Sequence, residues 1–330
     1  MRQPPRLRVA DENKIEYSAD FTWKALLMAS DRIGEQLDRK HICFFRLERS
    51  GVIKRTVPQD THWSFAWQPC KGWFTSPRLA TPLRDLLDLY LAVCGVSAEH
   101  PLAVGHLGQS LDGHIATHAG DSYYVTGQEN ILHLHRMRAL CDAVVVGAGT
   151  VAADDPQLTT RLVPGDNPVR VVLDPKGRLG GNCRVLSDGQ APTLLMCAEA
   201  HVRQSSLGSD FVQVIGIPER QGRLALDVVL SVLHRRGLYS IFVEGGGITV
   251  SNFLEAGLLN RVQIAVAPLI IGSGRTGLQT APTRYLRDCL RPRHRVFRLG
   301  QDILFDCDLD AAYPLADASQ LSMQAPLRII

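Results

Sequence analysis

Three segments of this 330-residue chain combine residue types that could do chemistry. The first is Glu244-Gly245-Gly246-Gly247-Ile248-Thr249. Its glycines let backbone approach a ligand closely, and the amides of a following helix would face an anion such as a pyrophosphate. Glu244 ends an apolar run, where a buried carboxylate is costly without a partner. A tight strand–helix turn is the alternative reading of the same residues. The second segment runs from Gly147-Ala148-Gly149-Thr150 through Asp154-Asp155-Pro156 to Arg161. Adjacent residues of an extended chain point in opposite directions. Asp154 and Asp155 are therefore not expected to act as one acid–base pair; one can face a ligand while the other caps backbone amides. Arg161 offers a planar fork that suits phosphate. A solvated loop with an Asp-Pro turn is the alternative here. The third segment is Ser110-Leu111-Asp112-Gly113 followed by Gly120-Asp121-Ser122-Tyr123-Tyr124-Val125-Thr126. Asp112-Gly113 signals a turn between apolar stretches, and alone it reads as a hairpin-like loop.

Several familiar patterns are missing. The Gly-x-Gly-x-x-Gly dinucleotide fingerprint fails because Val250 stands at the third glycine position. His133 and His135 lie two apart and would face away from each other on a helix. Neither metalloprotease arrangement of His and Glu occurs, so no metal site is expected. Gly-x-Ser-x-Gly is absent, which leaves a hydrolase nucleophile elbow without support.

The elements that must position these segments alternate. Ala143–Val146, Val169–Leu173, Thr193–Cys197, Phe211–Ile215, Ile241–Val243 and Arg261–Ile271 read as strands, and Leu224–Arg235 and Thr249–Ala256 as helices. This order predicts an α/β domain with a largely parallel sheet. Ligands of such sheets bind off the carboxyl ends of the strands. Asp174, Glu244, the Gly147–Thr150 turn and the glycine run all fall at strand ends.

Ahead of a seam near residues 95–102 the chain holds all four tryptophans, Trp23, Trp63, Trp67 and Trp73. This part reads as a small α+β unit. Trp23, Leu26, Leu27, Ser30, Ile33 and Leu37 are spaced for an amphipathic helix, and Ile42–Leu47 and Val52–Val57 for a hairpin. Leu83–Val93 reads as a second helix, with Thr81 as N-cap and Pro82 at its first position.

Apolar residues make up 45% and charged residues 21%, which argues against a mainly disordered chain. The net charge of +3 is too small to imply nucleic acid. Arg2, Arg6, Arg8, Asp11, Glu12, Lys14 and Glu16 leave no secretory h-region. The longest apolar stretch, Ile264–Ile271, is interrupted by Pro268 and too short to span a bilayer. None of the eight cysteines forms a Cys-x-x-Cys pair. Reduced thiols in a cytoplasmic protein are expected.

Taken together, the three segments resemble, in order and spacing, the reductase domain of riboflavin biosynthesis. That domain is the C-terminal half of the bifunctional pyrimidine deaminase–reductase RibD. His135-Arg136-Met137-Arg138, Asp142-Ala143 and Pro168-Val169-Arg170-Val171-Val172-Leu173-Asp174 belong to the same resemblance. It covers about residues 101–310, leaving 1–100 as an α+β extension and 311–330 as a tail. It implies a dihydrofolate-reductase-like fold, with a mixed, mostly parallel sheet flanked by helices. It also implies NADPH as cofactor, a phosphorylated pyrimidine as small-molecule substrate, and a homodimer; neither nucleic acid nor membrane is implied as a partner. In that family hydride goes to C1′ of a ribosylaminopyrimidine 5′-phosphate, and the ribosyl group becomes ribityl. Carried over by position, Gly108, Tyr124, Thr150, Asp154 and the run Gly246, Gly247, Ile248, Thr249, Val250, Ser251 and Asn252 would hold NADPH. Ser122, Arg138, Leu158, Arg161 and Glu244 would contact the substrate. Tyr124 replaces the family's usual Trp, Pro175 a serine that contacts NADPH, and Gly247 a common Pro. No general acid is assigned. The zinc-ligand motifs of the deaminase half, His-x-Glu and Pro-Cys-x-x-Cys, do not occur in residues 1–100.

Three readings of function follow. The first is an NADPH-dependent ribosylaminopyrimidine 5′-phosphate reductase, acting on either the deaminated or the undeaminated pyrimidine. The second is a relative acting on a related pyrimidine of a secondary-metabolite pathway. The third is a catalytically silent ligand-binding or scaffold protein of the same fold.

Overall fold

The computed structural model describes residues 18–312 except 49, 70, 124 and 205–209. Tyr124, Cys70, the charged first segment and the tail beyond 312 thus lie outside the described residues. The chain divides into two compact units between Gly95 and Val96.

The N-terminal unit begins with α1 (Ala19–Gln36), capped by Ser18, whose hydroxyl accepts the Phe21 N–H at 3.1 Å. Four strands follow: β1 (Cys43–Leu47), β2 (Ile53–Thr56), β3 (Phe65–Gln68) and β4 (Gly72–Thr75). They form an antiparallel sheet in the order β2-β1-β3-β4. The expected hairpin is its first pair, in which Phe44 lies opposite Thr56. β3 and β4 carry Trp67 and Trp73, whose rings meet edge-on at 5.4 Å. Trp23 of α1 is buried, whereas Trp63, Trp67 and Trp73 are partly buried on and beside this sheet. α2 (Thr81–Tyr90) starts one residue earlier than a Thr81 cap would allow. Ala80 holds the cap position without a side-chain bond, and Thr81 and Pro82 are already helical.

The second unit contains, in chain order, β5 (Leu102–Ser110), β6 (His114–Thr117), α3 (Gln128–Leu140), β7 (Ala143–Gly147), α4 (Ala148–Asp154), β8 (Val169–Leu173), α5 (Arg184–Ser187) and β9 (Thr193–Ala198). Then come β10 (Val212–Ile217), β11 (Glu219–Arg220), β12 (Arg223–Leu224), α6 (Leu226–His234), β13 (Ser240–Glu244), α7 (Gly247–Glu255), β14 (Arg261–Ala267), β15 (Gly274–Thr276), β16 (Pro292–Leu299) and β17 (Asp302–Ala312). Nine strands make one sheet in the order β10-β9-β8-β7-β13-β5-β14-β17-β16. Every pairing from β10 to β14 is parallel, and β17 and β16 close the edge antiparallel. The sheet is mixed and mostly parallel, as the alternation of elements predicts.

Two features differ from expectation, one for a local reason and one for a long-range one. β14 stops at Ala267 because Pro268 has no N–H for the ladder. Ile270 beyond it is 73% exposed. The Asp112-Gly113 turn does not pair β5 with β6; β6 pairs with the distant β15. Asp112 makes that possible. Its carboxylate accepts Ser110 Oγ at 2.5 Å and the Ile271 and Gly272 amides at 3.1 and 2.7 Å. These bonds, the Ser110 hydroxyl first, hold its pKa far below the usual carboxylate range.

The two faces of the sheet differ in chemistry. One is apolar: Val145, Val171, Ile241 and Val243 pack with Val229 and Leu233 of α6 and Val250 and Phe253 of α7. The other, which meets α3, mixes buried apolar side chains such as Val144, Val146, Val172 and Phe242 with buried polar ones. There His106 Nε2 donates to Asn130 Oδ1 at 3.1 Å and His133 Nε2 to Gln263 Oε1 at 2.9 Å. Arg170, with no exposed surface, donates to Thr193 Oγ1, the Gln157 and Ala191 carbonyls and Asp188. No described helix is long and apolar enough to cross a membrane.

Burial lowers the His106 pKa to about 4 and that of His133 to about 3. An unfolded histidine titrates near 6.5. Between roughly pH 6.5 and 4 the unfolded chain therefore takes up protons that the folded one refuses, so this contribution is whole above pH 6.5 and falls with pH. Urea denaturation at pH 7 and pH 5 should show a loss of about 2–4 kcal/mol, and His106→Asn should flatten that dependence.

Candidate active site

Two turns at the carboxyl ends of adjacent strands build the site. β7 ends at Gly147 and runs straight into α4; β13 ends at Glu244 and passes through Gly245 and Gly246 into α7. The turns interlock. A Cβ on Gly246 would come within 2.6 Å of Thr150 Oγ1, and one on Gly147 would collide with Thr249 Oγ1. Each turn thus lays a threonine on the other's glycine. Gly246 also has φ +66°, a conformation that side chains resist. A Cβ on Gly245 or Gly149 would meet nothing, so these stretches of backbone face open space.

That space is a cleft of about 1270 Å³. It exceeds the ~300–1,000 Å³ of a site for one drug-sized ligand. Gly108, Thr150, Asp154, Gly246, Gly247, Ile248, Thr249, Asn252 and Ser122 all line it. Ile248, 71% exposed on the first turn of α7, offers an apolar surface to a ring. Ser122 Oγ donates to Asp154 Oδ1 at 3.2 Å, linking two residues assigned by resemblance to different ligands. The backbone amides after the glycine run and the open glycine surface suit the pyrophosphate of a nicotinamide dinucleotide.

Two residues of the glycine run turn elsewhere. Val250 is fully buried in the apolar core, and Ser251 Oγ accepts the Gln279 amide at 2.8 Å. Neither side chain lines the cleft. Helical periodicity after Gly247 puts them on the sheet side of α7, while Ile248, Thr249 and Asn252 face out.

Arg138, Leu158, Arg161 and Glu244 gather beside the cleft, on the α3 face. Glu244 is not a free carboxylate. Arg138 Nε donates to its Oε2 at 2.7 Å and Arg138 Nη2 to its Oε1, a bidentate pair with only 8% and 11% of the side chains exposed. Arg138 Nη1 also donates to the Thr159 carbonyl at 3.1 Å. The partner that a buried strand-end glutamate requires is therefore an arginine of α3. Arg161 is exposed and spends one donor on Thr159 Oγ1 at 2.7 Å. Its backbone N–H donates to His135 Nδ1 at 2.9 Å. Burial, with Arg138 and Arg161 nearby, lowers the His135 pKa to about 4. The ring is neutral at pH 7, with its proton on Nε2. Leu158 is buried at φ +55° and Asp155 has φ +39°. Such strain in non-glycine residues concentrates at functional sites. Asp155 Oδ1 accepts the Arg184 amide at 2.7 Å, while Asp154 faces the cleft. The two aspartates divide capping from ligand-facing work.

Arg178, Arg220, Arg223 and Arg275 also line the cleft, and reasoning from sequence missed all four. Arg178 had a local signal, the Asp174-Pro175-Lys176-Gly177 turn after a strand. Arg275 had none, because its place depends on the long-range pairing of β15 with β6. No group of three His, Cys, Asp or Glu among the described residues is placed to hold a metal.

Replacing Gly246 with Ala forces a side chain into the left-handed region and against Thr150. It should cost about 1–3 kcal/mol of stability. Thermal denaturation of Gly246→Ala beside Gly257→Ala, where φ is also positive but nothing lies within reach, separates the clash from the backbone strain.

Comparison with known proteins agrees with this architecture. Residues 104–303 match the model of the RibD C-terminal domain. The 2,5-diamino-6-ribosylamino-4(3H)-pyrimidinone 5′-phosphate reductase of Methanothermobacter thermautotrophicus is 35% identical over 214 residues, 62% of this chain and 97% of that protein. The riboflavin biosynthesis protein RibD of Aquifex aeolicus is 32% identical over 63% of this chain but only 58% of its own length. Among solved structures, RibD of Acinetobacter baumannii superposes with a TM-score of 0.56 at 27% identity, over 68% of this chain and 62% of that one. The chain belongs to the RibD C-terminal domain family.

Proposed function

We propose that this protein is an NADPH-dependent reductase of a ribosylaminopyrimidine 5′-phosphate, converting its ribosyl group to ribityl. One observation carries the reading: a cleft floored by two interlocked glycine turns lies beside a buried arginine–glutamate pair and an exposed arginine. The first half suits a dinucleotide; the second suits a polar, phosphorylated partner. The relative spanned almost throughout is named for the diaminopyrimidinone phosphate, which makes that compound the first substrate to test.

NADPH, when bound, would supply hydride to C1′ of the substrate's open-chain imine, with the nitrogen taking its proton from water, and this chain would bind and orient both partners. Hydride transfer needs its donor and acceptor carbons held about 3–3.5 Å apart, so positioning dominates. The Gly245–Thr249 turn and Thr150 hold the dinucleotide against the strand ends. Asp154, facing the cleft and joined to Ser122, accepts hydrogen bonds from the cofactor. Arg161 has guanidinium donors to spare for the substrate phosphate. Glu244 presents its carboxylate toward the pyrimidine or sugar hydroxyls, and Arg138 is a positioning residue that acts through it. His135 stays neutral at assay pH, so it adds no positive charge to that of Arg161.

The test is oxidation of NADPH by the purified chain, followed at the nicotinamide absorbance, with the diamino and the deaminated pyrimidine phosphates supplied separately. Turnover with either supports the proposal; its failure with both, with no NADPH binding, favours a silent scaffold. Asp154→Ala should weaken NADPH binding by about tenfold to a hundredfold, the worth of a charged hydrogen bond. Glu244→Gln should raise the substrate KM by a similar factor and leave NADPH affinity within about twofold. Equal loss of NADPH affinity in both variants rejects this division of roles.

A further inference from the structure

Of the four arginines lining the cleft, two are matched by nearby carboxylates. Arg220 Nη1 donates to both carboxylate oxygens of Asp227, at 3.0 and 2.9 Å. Arg223 Nη1 donates to Asn252 Oδ1 at 2.7 Å and lies 3.7 Å from Glu255 Oε2. Arg275 sits on β15 with its guanidinium folded over the backbone of Gly120, on the side of the cleft that holds Ser122. Arg178 is different. It is exposed to the cleft and makes no ion pair among the described residues. It is also held in place. The Gly177 amide donates to the Asp174 carbonyl at 3.0 Å, and the Leu179 amide to Asp174 Oδ2 at 2.8 Å. Asp174 itself is fully buried. A buried carboxylate at the end of β8 thus fixes the turn that projects Arg178.

Its position in the sheet order matters. The glycine turns follow β7 and β13, and β8 lies next to β7, away from β5 and β6. A dinucleotide whose pyrophosphate rests on the glycine turns has two ends. The substrate-facing groups, Ser122 on one side and the Arg138–Glu244 pair on the α3 face, claim the nicotinamide end. The adenosine end is left to the wall after β8, where Pro175 and Arg178 stand with Arg220 and Arg223.

We propose that Arg178 reads the 2′-phosphate of the cofactor and so sets a preference for NADPH over NADH. The inference rests on the NADPH-dependent reading above. A phosphate monoester carries a charge of about −1.5 to −2 at pH 7. An arginine fork without an ion-pair partner among the described residues gains from that dianion and gains little from the 2′-hydroxyl of NADH. Arg220 and Arg223 are poorer candidates because Asp227 and Glu255 already offset them.

The experiment is calorimetric titration of the full chain with NADP⁺, NAD⁺ and adenosine 2′,5′-bisphosphate, for wild type, Arg178→Ala, Arg178→Lys and Arg275→Ala. Wild type should bind NADP⁺ at least about tenfold tighter than NAD⁺, in line with a charged hydrogen bond. In Arg178→Ala that ratio should fall toward one through loss of NADP⁺ and bisphosphate affinity, with NAD⁺ affinity unchanged. Arg178→Lys should fall between, and Arg275→Ala should keep the wild-type ratio. The proposal is overturned if Arg178→Ala keeps the ratio, if it loses both dinucleotides equally, or if Arg275→Ala is the variant that abolishes the preference. A wild type that binds both dinucleotides equally also overturns it, leaving reduction by a nicotinamide intact. Binding of neither dinucleotide overturns the functional reading, and this assignment with it.

Discussion

The Gly–Thr interlock between the turns after β7 and β13 is the contact on which the site depends. Thr150 occupies the volume a Cβ would take on Gly246, and Thr249 the volume of one on Gly147. Because each turn leads into a helix, this contact fixes where α4 and α7 begin. It therefore fixes where Asp154 ends one helix and Ile248 starts the other. The parallel pairing of β7 with β13 brings the turns together; only the paired absence of side chains lets them nest. The same close approach leaves Gly245 and Gly149 bare toward the cleft, so packing and ligand access have one cause.

The sheet separates the two kinds of charge that a dinucleotide-dependent reductase must manage. Its α3 face sets internally paired polar groups among apolar ones: Arg138 with Glu244, His106 with Asn130, His133 with Gln263, and Arg170 with Asp188. Buried pairs of this kind add little net stability over apolar substitutes, but removing one partner is expensive. Their value lies in fixed geometry, and the Arg138–Glu244 pair sits where a substrate would meet the strand ends. The opposite face is apolar and simply anchors α6 and α7.

Much of this was legible in the sequence because it is local. Strand alternation, the glycine run and the Asp154-Asp155-Pro156 loop each betray themselves within a few residues. The sheet class and the need of Glu244 for a partner follow from such signals, while the family resemblance points to Thr150, Asp154 and Ile248, which line the cleft. What did not show required contacts between distant segments. The identity of Glu244's partner rests on α3 lying across the sheet. The role of Asp112 rests on the amides of residues 271 and 272. The position of Arg275 rests on the pairing of β6 with β15. The side chains of Val250 and Ser251 turn from the cleft for a different reason: a helix presents only some of its residues to any one side.

The segment from Gly274 to Ala281 ties the cleft's far rim to α7. Its Gly277 carbonyl lies against Gly247 so closely that no Cβ fits there. The Gln279 amide binds Ser251 Oγ at 2.8 Å, and the Ala281 amide binds Glu255 Oε1 at 2.5 Å. The strip is thus stitched along α7, and Gly274, Arg275, Thr276 and Gln279 of it line the cleft with Ile248, Thr249 and Asn252. Its other end is hemmed to β6 and pinned by Asp112. This rim of the cleft is consequently tied at both ends, to α7 through Ser251 and Glu255 and to the turn after β5 through Asp112, so it is held by contacts outside the nine-stranded sheet.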